Sequence, residues 1–463
     1  MVSFVSNPAN IEELRTVVRR LGVFTGVAAR SVAAETAQII ENLVPAVDSA
    51  LLNPLLSHEE LSERCAAAGV LPMFGFPTRD RSLYDSTAFN LKEISDAVAT
   101  SRSLDQAITM FAPGSRVVKD KQDHFGIGFA HWIMRKGKPV SVDPLGHRLQ
   151  LARCRDCSVV LAIDIWAGRK QELAAEVVVQ EICPGCGQMM DKFDAYQPLG
   201  FRTDYTHHDY DSGVDAFMAP PMSSLARVPS GVTTTAVGST SVELLEENQV
   251  VSMNDNHGRF FSSVRANDST LVVINEEPYV DKIYDVVSSK FGSLPRQPRN
   301  DYAIVDILTT DVLVLTPDSV SIHGGIVPTD PEVMPAGMSA FASFAQMLIR
   351  ACKDYLQIDQ TELRMGLQPF SSPQGVSQRI FISDVLENGS GYSKIISNPT
   401  VLRSVLTSII NVTGSRLANP NFHPECDTSC PSCLRSYENS GVFRWTRSCV
   451  SSGIQLWRRI SEN

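Results

Sequence analysis

The sequence lacks a phosphate-binding loop of the Walker type, which motor ATPases need to hold the phosphates of ATP. Gly126-Ile127-Gly128 has no third glycine at the required spacing, and Gly137-Lys138 is followed by Pro139 instead of serine or threonine. The motif occurs nowhere in the 463 residues of the sequence. This absence argues against an ATP-driven motor. We also expect no enzymatic activity from this chain, although the missing motif alone does not exclude one.

Long apolar runs and a surplus of basic charge are also missing. No run reaches the ~18 residues that span a bilayer, and residues 1–7 have neither the basic flank nor the long apolar stretch of a secretion signal. We expect a cytoplasmic protein without membrane contact, in which thiols stay reduced. The net charge of −10 argues against nucleic-acid binding over the whole surface, whereas a local basic patch stays open.

The length of the chain predicts two or three domains. Apolar residues at helical spacing predict a helical N-terminal region over 1–70, followed by a β-containing region over 71–218. The segment 219–241 is rich in Pro, Ser, Thr, Gly and Ala, so we expect a linker there. Residues 242–463 are expected to form an α/β region.

Shorter patterns predict individual elements within this last region. Two apolar runs, 250–253 and 260–264, flank a turn-forming segment at 254–259 that contains Asn, Asp and Gly. This arrangement predicts a β-hairpin. Three more elements are predicted: a buried strand at 311–315, a helix at 338–356 and a helix that starts at Asn398-Pro399.

Eight of the ten cysteines fall into two groups of four. The first group has two Cys-x-x-Cys pairs separated by 25 residues, and its members are Cys154, Cys157, Cys183 and Cys186. This spacing is typical of a zinc ribbon, in which each pair supplies two thiolates from one turn. Four sulfur ligands leave no open position on the ion, so we expect a site that stabilises the fold.

The second group lies near the end of the sequence and consists of Cys426, Cys430, Cys433 and Cys449. Four close cysteines indicate either a metal site or disulfides. The expected reducing compartment and the first group favour zinc, and His423 is left out because four sulfurs already complete the shell. We therefore predict two zinc ions per chain. The predicted fold class is α+β and multi-domain: a helical N-terminal region, a zinc ribbon, a mixed β-rich/α core and a C-terminal four-cysteine zinc-binding domain.

Residues 426–439 resemble the signature of the MrfA-type zinc-binding (MZB) domain, which occurs at the C-terminus of some superfamily-two DNA helicases and in DrmB, a subunit of the DISARM anti-phage system. The resemblance extends over about residues 55–450. Its other blocks are Leu71-Pro72-Met73-Phe74-Gly75-Phe76-Pro77, Pro198-Leu199-Gly200-Phe201, Asn254-Asp255-Asn256-His257-Gly258, Thr310-Asp311-Val312-Leu313, and Asp384 with Gly389-Ser390-Gly391-Tyr392.

The resemblance implies a stand-alone accessory subunit like DrmB, because the sequence upstream of residue 55 cannot hold the two ATPase lobes of such helicases. It implies a hetero-oligomer with a separate, DrmA-like superfamily-two helicase, binding to DNA, and a role in phage defence. An alternative that the resemblance also leaves open is the C-terminal half of a split DNA-repair helicase.

Cations alternate with aromatic residues on and after the second cysteine group. Such a pattern suits contacts to phosphates combined with stacking on bases. The candidate nucleic-acid-binding residues are Arg435, Tyr437, Arg444, Trp445 and Arg447. The alternative is that the two aromatic residues belong to the core and that the arginines form a solvated surface.

Two other functions stay open at the level of sequence. Asp384, with Glu362 and Glu387, is the candidate site of a magnesium-dependent nuclease, although the lysine-bearing strand of such enzymes is not found nearby. The other alternative is a structural scaffold without contact to nucleic acid.

Overall fold

The computed structural model describes two compact units of the chain, residues Met1–Thr78 with Trp166–Glu176 and residues Arg79–Ile165 with Val177–Asn463. No helix in the described segments is long and apolar enough to cross a membrane. The described residues are 7–25, 32–52, 61–68, 70–71, 80–86, 91–154, 159–164, 182–184, 186–204, 208–210, 223–225, 235–237, 240–266, 269–274, 299–317, 335–359, 361–372, 375–387, 389–414, 416, 419, 421 and 434.

The described residues of the first unit form three helices, α1 (Pro8–Thr25), α2 (Val32–Leu52) and α3 (Leu61–Ala67). They lie where the apolar periodicity predicted a helical region. Val47 and Ala50 of α2 pack against Cys65 of α3. The guanidinium of Arg64 donates to the carbonyls of Ala50 and Leu51 at the end of α2, which satisfies acceptors that have no partner within that helix.

The described strands of the second unit form one sheet of 17 strands, except for β5 and β6, which pair only with each other. The first nine strands are β1 (Asp80–Tyr84), β2 (Val98–Ser103), β3 (Arg116–Lys119), β4 (Gln122–Phe129), β5 (Trp132–Arg135), β6 (Lys138–Ser141), β7 (Arg148–Cys154), β8 (Val160–Asp164) and β9 (Met190–Tyr196). The other ten are β10 (Gly200–Thr203), β11 (His208–Asp209), β12 (Ser223–Leu225), β13 (Thr235–Val237), β14 (Thr240–Asn254), β15 (Phe261–Arg265), β16 (Leu271–Val273), β17 (Arg299–Pro317), β18 (Leu363–Ser372) and β19 (Gly375–Asp384). One short helix, α4 (Leu104–Met110), follows β2.

Strand β17 joins the two halves of the sheet. One of its edges pairs antiparallel with β14 from Ile304 onward. The other edge pairs parallel with β9 near Tyr302 and antiparallel with β19 from Val312 onward. Val312 and Leu313 are fully buried, which confirms the strand predicted at 311–315.

The hairpin predicted across 250–264 is wrong. β14 and β15 do not pair with each other, because both run antiparallel to β17, with Asn254 opposite Ile304 and Phe261 opposite Tyr302. They are consecutive segments along one edge of β17, interrupted by a short loop. The turn-forming residues therefore lie in a loop that leaves this edge of β17 and returns to it, and the chain does not reverse its direction.

The linker predicted at 219–241 lies partly within the sheet. Where the structure describes this segment, β12 pairs with β14 and β13 forms a hairpin with the start of β14. Leu225 is fully buried, and its amide donates to the side chain of Gln368 at 3.0 Å. Small polar residues fit here because strands this short are fixed by their neighbours and not by their own β-propensity.

Among the described residues, the α-helices of the C-terminal half are α5 (Pro335–Leu356), α6 (Tyr392–Ser397) and α7 (Pro399–Ser408), and a π-helical turn at Ile409–Gly414 follows α7. α5 confirms the helix predicted at 338–356. Its residues Phe341 and Leu348 pack with Leu402 of α7 and with Ile382 of β19 in the largest apolar cluster. Leu434, only 1% exposed, belongs to the same cluster.

Asn398 caps α7 as the sequence predicted, and Pro399 occupies the first turn. The side-chain oxygen of Asn398 accepts from the amides of Thr400 at 3.0 Å and Val401 at 3.5 Å. We expect Asn398→Ala to lower the free energy of unfolding by about 1 kcal/mol, the usual contribution of a cap. Urea denaturation measures this change, and Asn398→Asp, which keeps an acceptor oxygen, should stay close to the parent chain. Equal stability of the alanine variant would contradict the role of this cap.

Candidate metal centre

The first predicted thiol ligand ends strand β7. Cys154 is fully buried, and its amide donates to the carbonyl of Val159 at 2.9 Å, so the chain turns back at once into β8. A turn of this kind holds the cysteine side chain at one end of the strand. Cys157 lies between these two residues, in a segment outside the described part of the chain.

The second pair of cysteines lies on a similar turn immediately before β9. The amide of Cys183 donates to the carbonyl of Gln188 at 2.7 Å, and the amide of Gly187 donates back to the carbonyl of Cys183 at 2.8 Å. Gly187 has a φ of +78°, a left-handed conformation that glycine adopts without strain. Ile182 and Met189 pair across the base of this turn.

The register of the sheet brings the two turns together. β7 and β9 are antiparallel neighbours, and Cys154 lies opposite Met190. As a result, the Sγ atoms of Cys154, Cys183 and Cys186 all lie within 4.8 Å of one another. The Sγ atoms of Cys154 and Cys186 are 3.3 Å apart.

This thiol group fits a zinc ion. Tetrahedral zinc with bonds of about 2.3 Å to sulfur separates its ligands by about 3.8 Å, close to the spacing found here. The three thiols are, within the described residues, the one cluster of three or more metal-binding side chains. Cysteines 154, 183 and 186 would therefore hold the ion, and Cys157 stays the predicted fourth ligand.

The surroundings of the thiols are apolar. Ala152, Val159, Leu161 and Met190 pack around Cys154 and Cys183. These side chains shield the sulfurs of Cys154 and Cys183, whereas Cys186 is half-buried. A cysteine-only shell leaves no position for a substrate. The site is therefore suited to holding β7, β8 and β9 together and not to catalysis.

Two other described cysteines behave differently. Cys352 is fully buried, and burial raises the pKa of its thiol to about 12. Burial also raises the pKa of the Cys65 thiol. Both stay protonated at neutral pH and have no cysteine neighbour in the described residues, which fits their interpretation as core residues.

The loop that interrupts the β14–β15 edge braces the thiol-bearing strands. Arg153, next to Cys154, forms an ion pair with Asp255. The ring centroids of Phe193 and Phe260 are 5.1 Å apart. Asn256 is buried and donates to the carbonyl of Phe260 at 3.1 Å. The sequence identified this loop as a turn and as a block of the family resemblance, but nothing local shows that its partners are β7 and β9.

Asp384, the candidate nuclease residue, is engaged elsewhere. It is fully buried, and one carboxylate oxygen accepts from the amides of Ser390 at 2.6 Å and Tyr392 at 3.1 Å. The other oxygen accepts from the amide and the hydroxyl of Ser393, at 2.9 and 2.7 Å. These four bonds fix the start of α6 and leave no lone pair for a metal. Asp384 forms no metal-binding cluster with Glu362 and Glu387 among the residues described.

The second cysteine group and the candidate nucleic-acid contacts lie outside the described residues. This applies to Cys426, Cys430, Cys433, Cys449, Arg435, Tyr437, Arg444, Trp445 and Arg447. The described residue between them is Leu434, which follows Cys433 in the sequence and is buried in the apolar cluster of α5 and α7.

The fold and the thiol cluster define a protein with a candidate structural metal site, formed by Cys154, Cys183 and Cys186 at the edge of a large mixed sheet. Comparison with known families adds a second zinc-related segment: residues 344–434 match the family described as the MrfA Zn-binding domain. The matched segment contains three cysteines of the second group and ends before Cys449. The predicted resemblance to that domain is therefore confirmed over this segment.

Comparison with whole proteins says less about this chain than the family match does. None of the curated proteins compared matches the chain. Among solved structures, the chain is similar to the crystal structure of the DUF1998 helicase MrfA bound to DNA, with 10% identity and a TM-score of 0.36. The similarity covers 85% of this chain and 35% of that helicase. The chain thus spans about a third of the helicase, and a likeness of this extent carries no functional conclusion.

Proposed function

We propose that this chain is a non-catalytic, zinc-binding accessory subunit that associates with DNA and with a separate superfamily-two DNA helicase. The observation that carries the proposal is the match of residues 344–434 to the zinc-binding domain named for MrfA. The thiol cluster at Cys154, Cys183 and Cys186 supports the zinc-binding part. The engagement of Asp384 by four donors favours an accessory role over a nuclease.

The proposal extends to the biological setting that the sequence resemblance implies. In that setting the chain corresponds to a DrmB-like subunit of a DISARM-like phage-defence system in the bacterial cytoplasm, and its partner is a DrmA-like helicase. The complex is a hetero-oligomer in which the helicase hydrolyses ATP. The zinc sites of this chain would keep its DNA-facing and partner-facing surfaces in shape.

A binding experiment with the purified full chain tests the DNA-binding part. We expect binding of fluorescently labelled single- or double-stranded DNA, with an affinity that falls as salt rises because phosphate contacts release counterions. Arg444→Glu/Arg447→Glu should weaken binding about tenfold or more and leave the zinc content unchanged. Unchanged affinity would remove these arginines from the function, and no binding by the parent chain would contradict the DNA-binding proposal.

The partner is tested separately by co-expression of the tagged chain with a superfamily-two helicase from the same genome. A stable complex on size exclusion, with an altered DNA-dependent ATPase rate, is the expected result. The purified chain should also leave labelled DNA intact in Mg²⁺ or Mn²⁺. If the parent chain cleaves DNA and a correctly folded Asp384 variant does not, the accessory function proposed here is wrong and the nuclease function replaces it.

A further inference from the structure

Strands β5 and β6 form a hairpin that stands apart from the large sheet. The strands pair only with each other, with Trp132 opposite Ser141 and Arg135 opposite Lys138. Residues 134–138 are all exposed. The hairpin therefore carries its tip away from the rest of this unit into solvent.

The tip is held in one conformation by its turn. Lys136 and Gly137 have φ values of +50° and +72°, which is the pattern of a two-residue type I′ turn. This turn matches the right-handed twist of the flanking strands. A Cβ atom at Gly137 would meet no atom within 4 Å, so the turn is bounded by solvent.

The root of the hairpin is fixed in an apolar cluster. Trp132 is 2% exposed, and its ring contacts the ring of Tyr84 edge-on at 4.7 Å. Below the paired strands, the amide of Val142 donates to the carbonyl of His131 at 3.1 Å. Burial, and then the charge of Arg81, lowers the pKa of His131 to about 4, so the root carries no charge on this histidine at neutral pH.

The charge of the tip contrasts with that of the chain. Arg135, Lys136 and Lys138 are exposed, and no carboxylate of the described residues pairs with them. Residues 132–141 contain no Asp or Glu, although the whole chain has a net charge of −10. Three exposed cations without a carboxylate partner among the described residues suit a polyanion, because several negative charges on one ligand offset their mutual repulsion.

We propose that the tip of the β5–β6 hairpin, through Arg135, Lys136 and Lys138, binds the phosphate backbone of DNA. The inference rests on the proposed function, in which DNA is the polyanion that this chain meets. A two-stranded ribbon has the width that the major groove of duplex DNA admits. The three cations then lie against phosphates, and the contact is independent of base sequence.

Both faces of the hairpin carry apolar side chains, and this supports an orientation in which the tip points toward the phosphates. Cross-strand partners share a face, so Ile133 and Val140 lie on the same face as Arg135 and Lys138. Val140 is 37% exposed and Met134, on the opposite face, is 42% exposed. Ile133, Val140 and Met134 carry no charge, so the cations at the tip are the part of the hairpin that attracts a polyanion. The apolar side chains behind the tip can contact the sugar carbons of DNA.

The test compares two variants of the full chain with equal changes in charge. Arg135→Glu/Lys136→Glu/Lys138→Glu reverses the hairpin tip. All three positions are exposed, so we expect the zinc content and the urea midpoint to stay at the parent values. With duplex DNA at ~0.1 M salt, the affinity should fall about 10- to 100-fold, and the slope of log K against log salt should decrease in magnitude by about 2 to 3.

The matched control is Arg102→Glu/Lys121→Glu/Arg403→Glu, which changes exposed cations on β2, on the β3–β4 turn and on α7. It should reduce affinity less than threefold and leave the slope unchanged. Equal effects of both variants would overturn the inference, because only net charge would then matter. If the parent chain binds DNA and the hairpin variant binds it with the same affinity, this inference alone is overturned. If the parent chain does not bind DNA, the proposed DNA-binding function is overturned as well. Loss of binding to a polyglutamate peptide with unchanged DNA binding would assign the tip to an acidic protein and overturn the inference.

Discussion

Substitution of Cys154 by serine is expected to remove one zinc ion per chain and to unfold the corner formed by β7, β8 and β9. The metal would join two cysteine pairs that are separated by 25 residues of sequence, and Cys154 and Cys183 of the thiol group are buried among apolar side chains. Structural zinc contributes about 10–16 kcal/mol of apparent binding free energy in small zinc domains. That is comparable to the whole stability of a typical domain, about 5–15 kcal/mol.

The effect should reach beyond the ribbon because β9 pairs with β17. β17 aligns Tyr302 with Asp194 of β9 and, further along, pairs with β14 and β19. Melting of β7–β9 therefore exposes one edge of the strand that joins both halves of the sheet. We expect aggregation or a large fall in the melting temperature.

Metal analysis of the purified chain measures the outcome. The parent chain should contain two zinc ions and Cys154→Ser one. The control is Cys352→Ala, which removes a buried thiol that lies outside the cluster and whose pKa burial raises to about 12. This control should keep both ions and lose only about 1 kcal/mol of stability. Full zinc content in Cys154→Ser would disprove the ribbon.

The sequence predicted the grouping of three thiols better than the sheet around them. Cysteine spacing indicated that Cys154, Cys183 and Cys186 come together, because a shared metal ion requires its ligands to converge. The β14–β15 hairpin prediction failed because a turn signal shows that the chain bends, but not which strand the two flanking runs pair with. That partner, β17, begins at residue 299, more than 30 residues after β15 ends.

The β5–β6 hairpin shows the opposite case. Its turn, Lys136-Gly137, carries a glycine where a type I′ turn needs one, and the flanking runs are short and partly apolar. This segment fails as a phosphate-binding loop, and its Lys136-Gly137 pair is instead a local signal for a hairpin. By contrast, the burial of Asp384 could not be predicted, because its donors approach only when β19 and α6 are in place.

Replacement of Asp384 by alanine is expected to be among the most destabilising single changes in the C-terminal half. The carboxylate is fully buried and accepts four hydrogen bonds, three of them from backbone amides of Ser390, Tyr392 and Ser393. Its removal leaves these amides without their acceptor at a site where Ser393 is fully buried and Ser390 and Tyr392 are half-buried. Each buried unsatisfied donor costs about 1–3 kcal/mol, so the expected loss is about 3–5 kcal/mol.

Neighbouring contacts make local relaxation difficult. The hydroxyl of Thr310 shares its one hydrogen between the carbonyls of Asp384 at 3.1 Å and Leu386 at 2.9 Å, which holds the backbone on both sides of residue 385. Gly389 has a φ of +78° and lies against the carboxylate of Asp311, where a Cβ would approach within 2.8 Å. The loop therefore has little freedom to turn its amides toward solvent.

Urea denaturation of Asp384→Ala tests this role against the catalytic alternative. The matched control is Asp359→Ala, which removes an exposed aspartate that accepts from the amide and hydroxyl of Thr361 at 2.9 and 2.8 Å. Water can replace those bonds, so the control should lose less than about 1 kcal/mol. Asp384→Asn should also be destabilised, because its amide group would face backbone donors. An Asp384→Ala chain with parental stability that has lost a metal-dependent DNA cleavage would show that this carboxylate serves chemistry and not the start of α6.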